Sequence, residues 1–226
     1  MTSAMAPTLA HTSVKPFYFN TSAHLVRITR QKASTLAEFL DALRECPESS
    51  IFQHSFRTLQ EHHFIREGFS NDFAHWAVSA CNEPSLAEGL ASVDVREFTS
   101  VATLRTRFLE ILKQYLKNGS RVAERSAEET FYFCASDIVV LPTGFVGRTI
   151  REFTEGLRRV SVHSIHHHFI EARLRIKLMS NDFSQWLHEN AGLTETARAL
   201  NRIDIYTATL EDVRQQIVGV MERALA

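Results

Sequence analysis

The sequence predicts a mainly α-helical protein made of two tandem, pseudo-symmetric helical repeats, each beginning with a short extended or hairpin segment. Three observations support this fold class. The two halves of the chain align with each other, apolar residues recur at helical spacing, and helix-capping residues stand where those patterns begin. The chain also contains 16 Phe but only 8 Gly, a composition typical of helices with aromatic cores.

The internal repeat is visible when the Phe-Tyr-Phe segment at residues 17–19 is written above residues 131–133. At this offset of 114, 14 of the 38 positions from residue 17 to residue 54 are identical. After a four-residue gap, residues 70–76 align with residues 180–186, and these segments contain the only two Trp of the chain. A collinear alignment with one gap indicates a duplication.

The repeat also sets the expected domain boundaries. Residues 1–16 have no periodic pattern and are predicted to form a disordered tail. Polar residues with an Asn-Gly-Ser sequence mark a linker at residues 119–130, between a first repeat at 17–118 and a second at 131–226. Because each half is modest for an independent core, we expect the two repeats to pack face to face about a pseudo-twofold axis.

The elements of each repeat follow in the same order. The Phe-Tyr-Phe segments look extended, and Pro142 with Gly144 predicts a loop close behind, so each repeat is expected to form its own short hairpin or strand pair. Thr35 with Glu38, and the matching Thr149 with Glu152, predict capping boxes at the first helix. Later helices are predicted near residues 51–66, 85–93 and 103–117, near 165–178, 194–203 and 210–226, and from each Asn-Asp-Phe motif.

Composition and charge argue against several classes of function. The formal net charge is -1 with no basic stripe, which argues against nucleic-acid binding. No apolar run approaches the roughly 20 residues of a membrane span, and residues 1–10 lack the features of a secretory signal. Three scattered Cys form neither a disulfide framework nor a CxxC pair. We therefore expect a cytoplasmic protein without a membrane or nucleic-acid partner.

The Asn-Asp-Phe-x-x-Trp motif occurs in both repeats and supplies the first candidate site residues, Asp72 and Trp76 with Asp182 and Trp186. In the structural interpretation, the motif caps a helix and its aromatic residues anchor that helix to the core. In the functional interpretation, Asp72 and Asp182 are ligands or acids in a groove between the repeats.

Two histidines, His54 and His168, share the repeated motif Ser-Ile-x-x-His. A histidine on an apolar helix face is commonly a hydrogen-bonded core residue. Alternatively, the pseudo-twofold axis brings His54 and His168 together, and two imidazoles with a carboxylate then suit Zn²⁺ or another divalent metal ion.

A second possible metal set, His163, His167 and Glu171, follows helical spacing in the second repeat alone. The first repeat has Ser49, Gln53 and Arg57 at the matching positions, which argues against a symmetric two-metal site. The signal is weak because no HExxH pattern surrounds it.

The combination of Phe-Tyr-Phe, Thr-x-x-Glu-Phe, Ser-Ile-x-x-His and Asn-Asp-Phe-x-x-Trp resembles an uncharacterised prokaryotic family of unknown function. The segments that most resemble this family lie at residues 164–175, 181–186 and 203–210. The resemblance covers nearly the whole chain after the tail. It implies no known activity and no known catalytic residue.

These observations favour a non-catalytic binding or regulatory (adaptor) module that engages a protein partner or small ligand in the groove between the repeats. No glycine-rich phosphate loop, GxSxG elbow or standout carboxylate pair is present, so the sequence leans away from an enzyme without excluding one. The alternative is a metal-binding protein or metal-dependent enzyme that uses His54 and His168 with Asp72, Asp182 or Glu171. A structural homo-oligomer is the third possibility.

Overall fold

A computed structural model describes residues 15–57, 69–117, 120–172 and 180–226. The tail predicted at residues 1–16 lies outside this range except for its last two positions. The predicted helices at 51–66 and 165–178 continue into residues 58–66 and 173–178, which also lie outside it.

The fold class predicted from the sequence is wrong, because the structure combines helices with an antiparallel two-stranded sheet. The strands are 17 residues long, β1 at Phe17–Ala33 and β2 at Phe131–Gly147. The two Phe-Tyr-Phe segments do not form separate hairpins, since β1 pairs with β2 across the repeat. Pro142 and Gly144, which predicted a loop, lie inside β2, where Gly144 adopts a φ of 82° that favours glycine.

Helices make up most of the rest of the described chain, and the predicted capping residues begin several of them. The Thr35 side chain accepts from the backbone N–H of Glu38, while the Glu38 carboxylate accepts from Ser34, one residue further back than a capping box requires. The first repeat contains α1 Leu36–Glu45, α2 Glu48–Phe52, a π-helical turn Gln53–Arg57, α3 Asp72–Ser79, α4 Pro84–Ala91, a 3-10 turn Val95–Glu97, α5 Val101–Leu116 and α6 Ser120–Ala123.

The second repeat follows the same order. Its capping contact at Thr149 with Glu152 matches the first, and Thr209 with Asp212 forms a full reciprocal capping box. Its elements are α7 Ile150–Arg159, α8 Val162–Ile165, a π-helical turn His166–Glu171, α9 Asp182–Ala191, α10 Thr194–Asn201 and α11 Leu210–Leu225.

Contacts divide the chain into two compact units that differ from the two halves of the sequence. Unit I is Ala23–Val139, and unit II comprises the described residues of Met1–Ser22, Val140–Ala172 and Ser180–Ala226. The opening segment of the first repeat therefore belongs with the helices of the second repeat. The opening segment of the second repeat, residues 131–139, belongs with the helices of the first. The repeats have thus exchanged the opening segments of their strands, while residues 23–33 of β1 stay with unit I and residues 140–147 of β2 stay with unit II.

The aromatic core of unit I shows how its strand is held. The Phe131 ring lies 5.2 Å from Phe39 and 5.8 Å from Phe73, measured between centroids. Trp76 stacks on Phe39 at 4.9 Å and donates its indole N–H to the carbonyl of Glu129, just before β2. Aromatic pairs of this kind stabilise a core beyond the area they bury.

Unit II repeats this arrangement with equivalent residues. The Phe17 ring lies 5.1 Å from Phe153 and 5.5 Å from Phe183. Trp186 stacks on Phe153 at 4.6 Å and donates to the carbonyl of Lys15, just before β1. Positions offset by 114 or 110 in the sequence thus make equivalent contacts in the two units.

Gly156 of α7 allows β1 to approach the helices of unit II closely. A Cβ atom at this position would lie 2.5 Å from Cε2 of Phe19. The Phe19 ring is fully buried, so it has little room to move away. The equivalent residue of unit I is Ala42.

Candidate functional site

His54 connects the helices of unit I to its strand. Its ring is buried, and its Nδ1 lies 2.8 Å from Oδ2 of Asp72, the first residue of α3. Its Nε2 accepts a hydrogen bond of 2.9 Å from the backbone N–H of Cys134 in β2. The π-helical turn Gln53–Arg57 carries this histidine between the two partners.

His168 makes the same pair of contacts in unit II. Its Nδ1 lies 2.7 Å from Oδ2 of Asp182, the first residue of α9. Its Nε2 accepts a hydrogen bond of 2.8 Å from the backbone N–H of Asn20 in β1. Asn20 and Cys134 are equivalent positions of the two repeats, so the contact is duplicated with the strands exchanged.

These hydrogen bonds fix the tautomer of both rings. A backbone N–H can only donate, so Nε2 of each ring must present its lone pair. Nδ1 then carries the proton of the neutral ring and donates it to the carboxylate. Neither nitrogen has a lone pair directed at another ligand, and the two imidazoles do not fit the role of metal ligands in this arrangement.

The rest of the repeated motif serves the helix ends and the core. The Asn71 and Asn181 side chains cap α3 and α9 by accepting from the backbone N–H groups of Ala74 and Ser184. Trp76 and Trp186 donate to carbonyl groups of the segments before the strands, as described above. The structure thus brings the predicted site residues together as two separate sets, His54 with Asp72 and His168 with Asp182, one in each unit.

The second predicted metal set divides by exposure. His163 is exposed, whereas His167 and Glu171 are buried, with Nδ1 of His167 3.2 Å from Oε2 of Glu171. The wider π-helical turn that begins at His166 changes which residues share a face, so regular helical spacing does not apply here. His166 was not among the predicted site residues. It is fully buried, and its Nδ1 lies 3.1 Å from Oε1 of Glu171.

Ser22 completes this buried cluster by donating to Oε2 of Glu171 at 3.1 Å. Across the part of the chain that the structure describes, no group of three or more His, Cys, Asp or Glu side chains is arranged to hold a metal ion. The run of three histidines was the only sequence signal for His166, and the matching residue Phe52 gave no support for it.

The cysteines have the character of neutral thiols. Burial raises the pKa of Cys46 to about 11 and that of Cys81 to about 12. Burial, together with the nearby Asp72 carboxylate, also raises the pKa of Cys134. A nucleophilic cysteine needs the opposite shift, because the thiolate is the reactive form.

The described part of unit I contains a cleft of about 920 Å³. Its lining is mixed in charge, with Arg107 and Lys113 beside Glu110. The Tyr115 hydroxyl at this cleft already donates to the Glu83 carboxylate, and this hydrogen bond raises the pKa of Tyr115 to about 12.

Large apolar side chains are exposed on the strands of unit I, a feature that the sequence patterns did not single out. Ile28 is 70% and Leu25 64% exposed, and all four residues from Leu25 to Ile28 lie at the surface. Successive residues of a strand point to opposite faces, so both faces are open here. We call the five exposed apolar side chains of this region the ribbon surface: Leu25, Val26, Ile28, Ile138 and Val139.

The chain belongs to a family of unknown function, DUF5752, whose match spans residues 14–222. This confirms the resemblance seen in the repeated motifs. No curated protein matches the chain. No described helix has both the length and the apolar character that a membrane crossing requires.

One solved structure is similar over nearly the whole chain. It is described as the structure of OrfY from Thermoproteus tenax, and it is 30% identical with a TM-score of 0.83. The similarity covers 94% of this chain and 97% of that one.

Proposed function

We propose that this protein is a non-catalytic binding module that engages another polypeptide through the ribbon surface of unit I. The observation that carries the proposal is the exposure of five large apolar side chains on one short stretch of paired strands. Contiguous exposed apolar surface is a common mark of a protein-binding site.

The ribbon geometry supports this location. A two-stranded sheet open on both faces is only marginally stable in water and gains stability when another element covers it. At residues 131–133 the pattern is different, because Phe131 and Phe133 are buried while Tyr132 is exposed. The stretches at Leu25–Ile28 and at residues 137–139 lack such one-sided cover, because consecutive side chains are exposed in both.

The histidines favour a binding role over a metal-dependent one. In each unit, one ring nitrogen faces a carboxylate and the other accepts from a strand N–H. A general base or metal ligand requires a lone pair aimed at substrate or metal. Here the histidines hold strands to helices, and the ribbon surface is left as the site of recognition.

A photo-cross-linking experiment tests the proposal. Benzoylphenylalanine is placed at Leu25 in one variant and at Glu195 of α10 in a control, because the Glu195 side chain is 81% exposed and is not part of the ribbon surface. After irradiation in the cells that produce the protein, the Leu25 variant should give discrete adducts with another polypeptide. Identical adduct patterns from both positions, or no adduct from Leu25, would contradict the proposal.

A further inference from the structure

We infer that the outer edge of β1 in unit I binds an extended polypeptide segment whose residues alternate between apolar and acidic, and that this segment adds to the sheet as a third strand. The inference rests on the proposed function and names the chemistry of its partner. It depends on three properties of β1 over residues 23–33: a free edge, a usable row of N–H groups, and a basic charge.

The free edge follows from the sheet itself. The described chain contains a sheet of two strands, so each strand has one edge that no other strand pairs with. Such an edge is a template for strand addition, in which main-chain hydrogen bonds supply affinity and alternate side chains supply specificity.

The outer edge of β2 in unit II carries a proline, whereas the matching position of β1 in unit I keeps its N–H and can pair with another strand. Pro142 of β2 stands where unit I has Ile28. Proline lacks an N–H, so within a paired strand its nitrogen faces away from the partner. The two positions share a register, because Thr29 donates to the carbonyl of Phe133 in unit I as Thr143 donates to that of Phe19 in unit II. The N–H of Ile28 therefore points to the free edge.

The charge of this edge selects the partner. β1 carries Arg27, Arg30 and Lys32 in unit I, all exposed, and no acidic residue. Within the described residues, neither Arg30 nor Lys32 has an acidic partner, and Arg27 forms only an exposed pair with Asp137. Opposite charges on neighbouring strands stabilise a sheet. Arg30 and Lys32 are two residues apart and therefore share a face of the strand. An incoming strand with Glu or Asp at alternate positions would pair with both of them.

A second copy of the chain fits this edge poorly. Pairing β1 with β1 of another copy would place two sets of Arg27, Arg30 and Lys32 on neighbouring strands, where like charges repel. Pairing β1 with β2 of another copy would leave a new β1 edge free at every step, which gives an open chain of copies. The charge and the symmetry both favour a different, acidic partner.

Two synthetic decapeptides test the inference with the full chain, one alternating valine and glutamate and one alternating valine and lysine. Fluorescence anisotropy should show saturable binding of the glutamate peptide, with at least a tenfold lower Kd than the lysine peptide. A third peptide keeps the valine–glutamate sequence but has the backbone nitrogens of one central valine and of the next glutamate methylated. Adjacent residues direct their N–H groups to opposite edges of a strand, so one of the two lost donors faces β1, and this peptide should bind at least tenfold more weakly.

Two variants of the protein locate the site. The double variant Arg30→Glu/Lys32→Glu should reverse the preference to the lysine peptide, while the matched charge reversal Arg198→Glu/Arg202→Glu, in α10 and at its C-cap, should leave it unchanged. Ile28→Pro should abolish binding while keeping the circular dichroism spectrum and melting temperature near those of the parent, since unit II accommodates proline at this position.

Each other outcome overturns the inference. Equal binding of the two charged peptides, binding of the N-methylated peptide at full strength, or unchanged preference in Arg30→Glu/Lys32→Glu would exclude an acidic added strand. Sedimentation showing a dimer that Ile28→Pro dissociates would identify a second copy as the occupant. If the peptides fail while Leu25 still cross-links to another polypeptide, the inference fails and the proposed function stands.

Discussion

Units I and II bury equivalent cores but expose different strands. The buried contacts of His54 with Asp72 and of His168 with Asp182 are duplicated almost atom for atom. On the exposed strand segments, by contrast, Arg27, Ile28 and Arg30 of unit I are replaced by Leu141, Pro142 and Gly144 in unit II. Packing explains what the two units share, so a function specific to one unit is expected where the units differ, on the exposed strand segments.

The histidine-rich turn gives a second contrast. Unit II has the buried His166 and His167 against Glu171, where unit I has Phe52 and Gln53. The duplicated histidines serve the strand exchange, whereas the additional pair belongs to one unit alone. A role common to both units must therefore be assigned to His54 and His168.

The largest expected effect comes from breaking the strand exchange. Phe19→Ala removes a fully buried ring from unit II and should lower the free energy of unfolding by about 3–5 kcal/mol. Because Phe19 packs with Phe153 and Phe183, hydrogen exchange should accelerate in α7 and α9. Mass spectrometry of exchanged peptides measures this directly.

The reciprocal variant is the control for that prediction. Phe133→Ala should accelerate exchange in α1 and α3, since Phe133 packs with Phe39 and Phe73. If Phe19→Ala instead accelerated hydrogen exchange in α1 and α3, each Phe-Tyr-Phe segment would pack with the helices of its own repeat. That result would refute the exchange of strand segments between the repeats.

The next effect separates a structural from a metal-binding histidine. His54→Ala leaves the Cys134 N–H and the Asp72 carboxylate without their ring partner and should cost about 2–4 kcal/mol of unfolding free energy. The metal content of untagged protein, purified without chelators, should be the same in the parent and in His54→Ala/His168→Ala. A stoichiometric metal lost from the double variant would restore the metal-dependent alternative.

A smaller effect is expected where the two cores differ by one methyl group. Gly156→Ala places a Cβ against the buried Phe19 ring and should cost about 1–3 kcal/mol. The reverse change in unit I, Ala42→Gly, should cost about 1 kcal/mol through helix propensity alone. Equal losses in chemical denaturation would show that the close approach of Phe19 does not limit this position.

The sequence was sufficient for the elements whose signals are local. Thr35 and Thr149 begin their helices as predicted, and the Asn-Asp-Phe motifs begin α3 and α9. The strand pairing could not be predicted, because both repeats carry the same Phe-Tyr-Phe segment and either helix set has the residues to accept either strand. Because the two repeats are so similar, the sequence cannot show that their strand segments are exchanged.

The sequence predicted the side chains of the candidate site but not the main-chain group that each histidine contacts. His54 and Asp72 are only 18 residues apart, and both stood out as repeated. The strand N–H that accounts for the other ring nitrogen comes from 80 residues away in unit I and 148 in unit II. A main-chain donor leaves no mark in the side-chain pattern, so the histidines resembled unassigned ligands.

The smallest expected effect isolates that main-chain donor. Cys134 donates its N–H to His54, as Asn20 does to His168, although their side chains differ. Cys134→Asn should therefore change the free energy of unfolding by less than about 1 kcal/mol. Cys134→Pro removes the N–H itself and should cost about 2–3 kcal/mol, close to the loss in His54→Ala. Similar melting curves for the two Cys134 variants would mean that the strand N–H contributes little. A loss confined to proline would identify the backbone, and not the side chain, as what His54 holds.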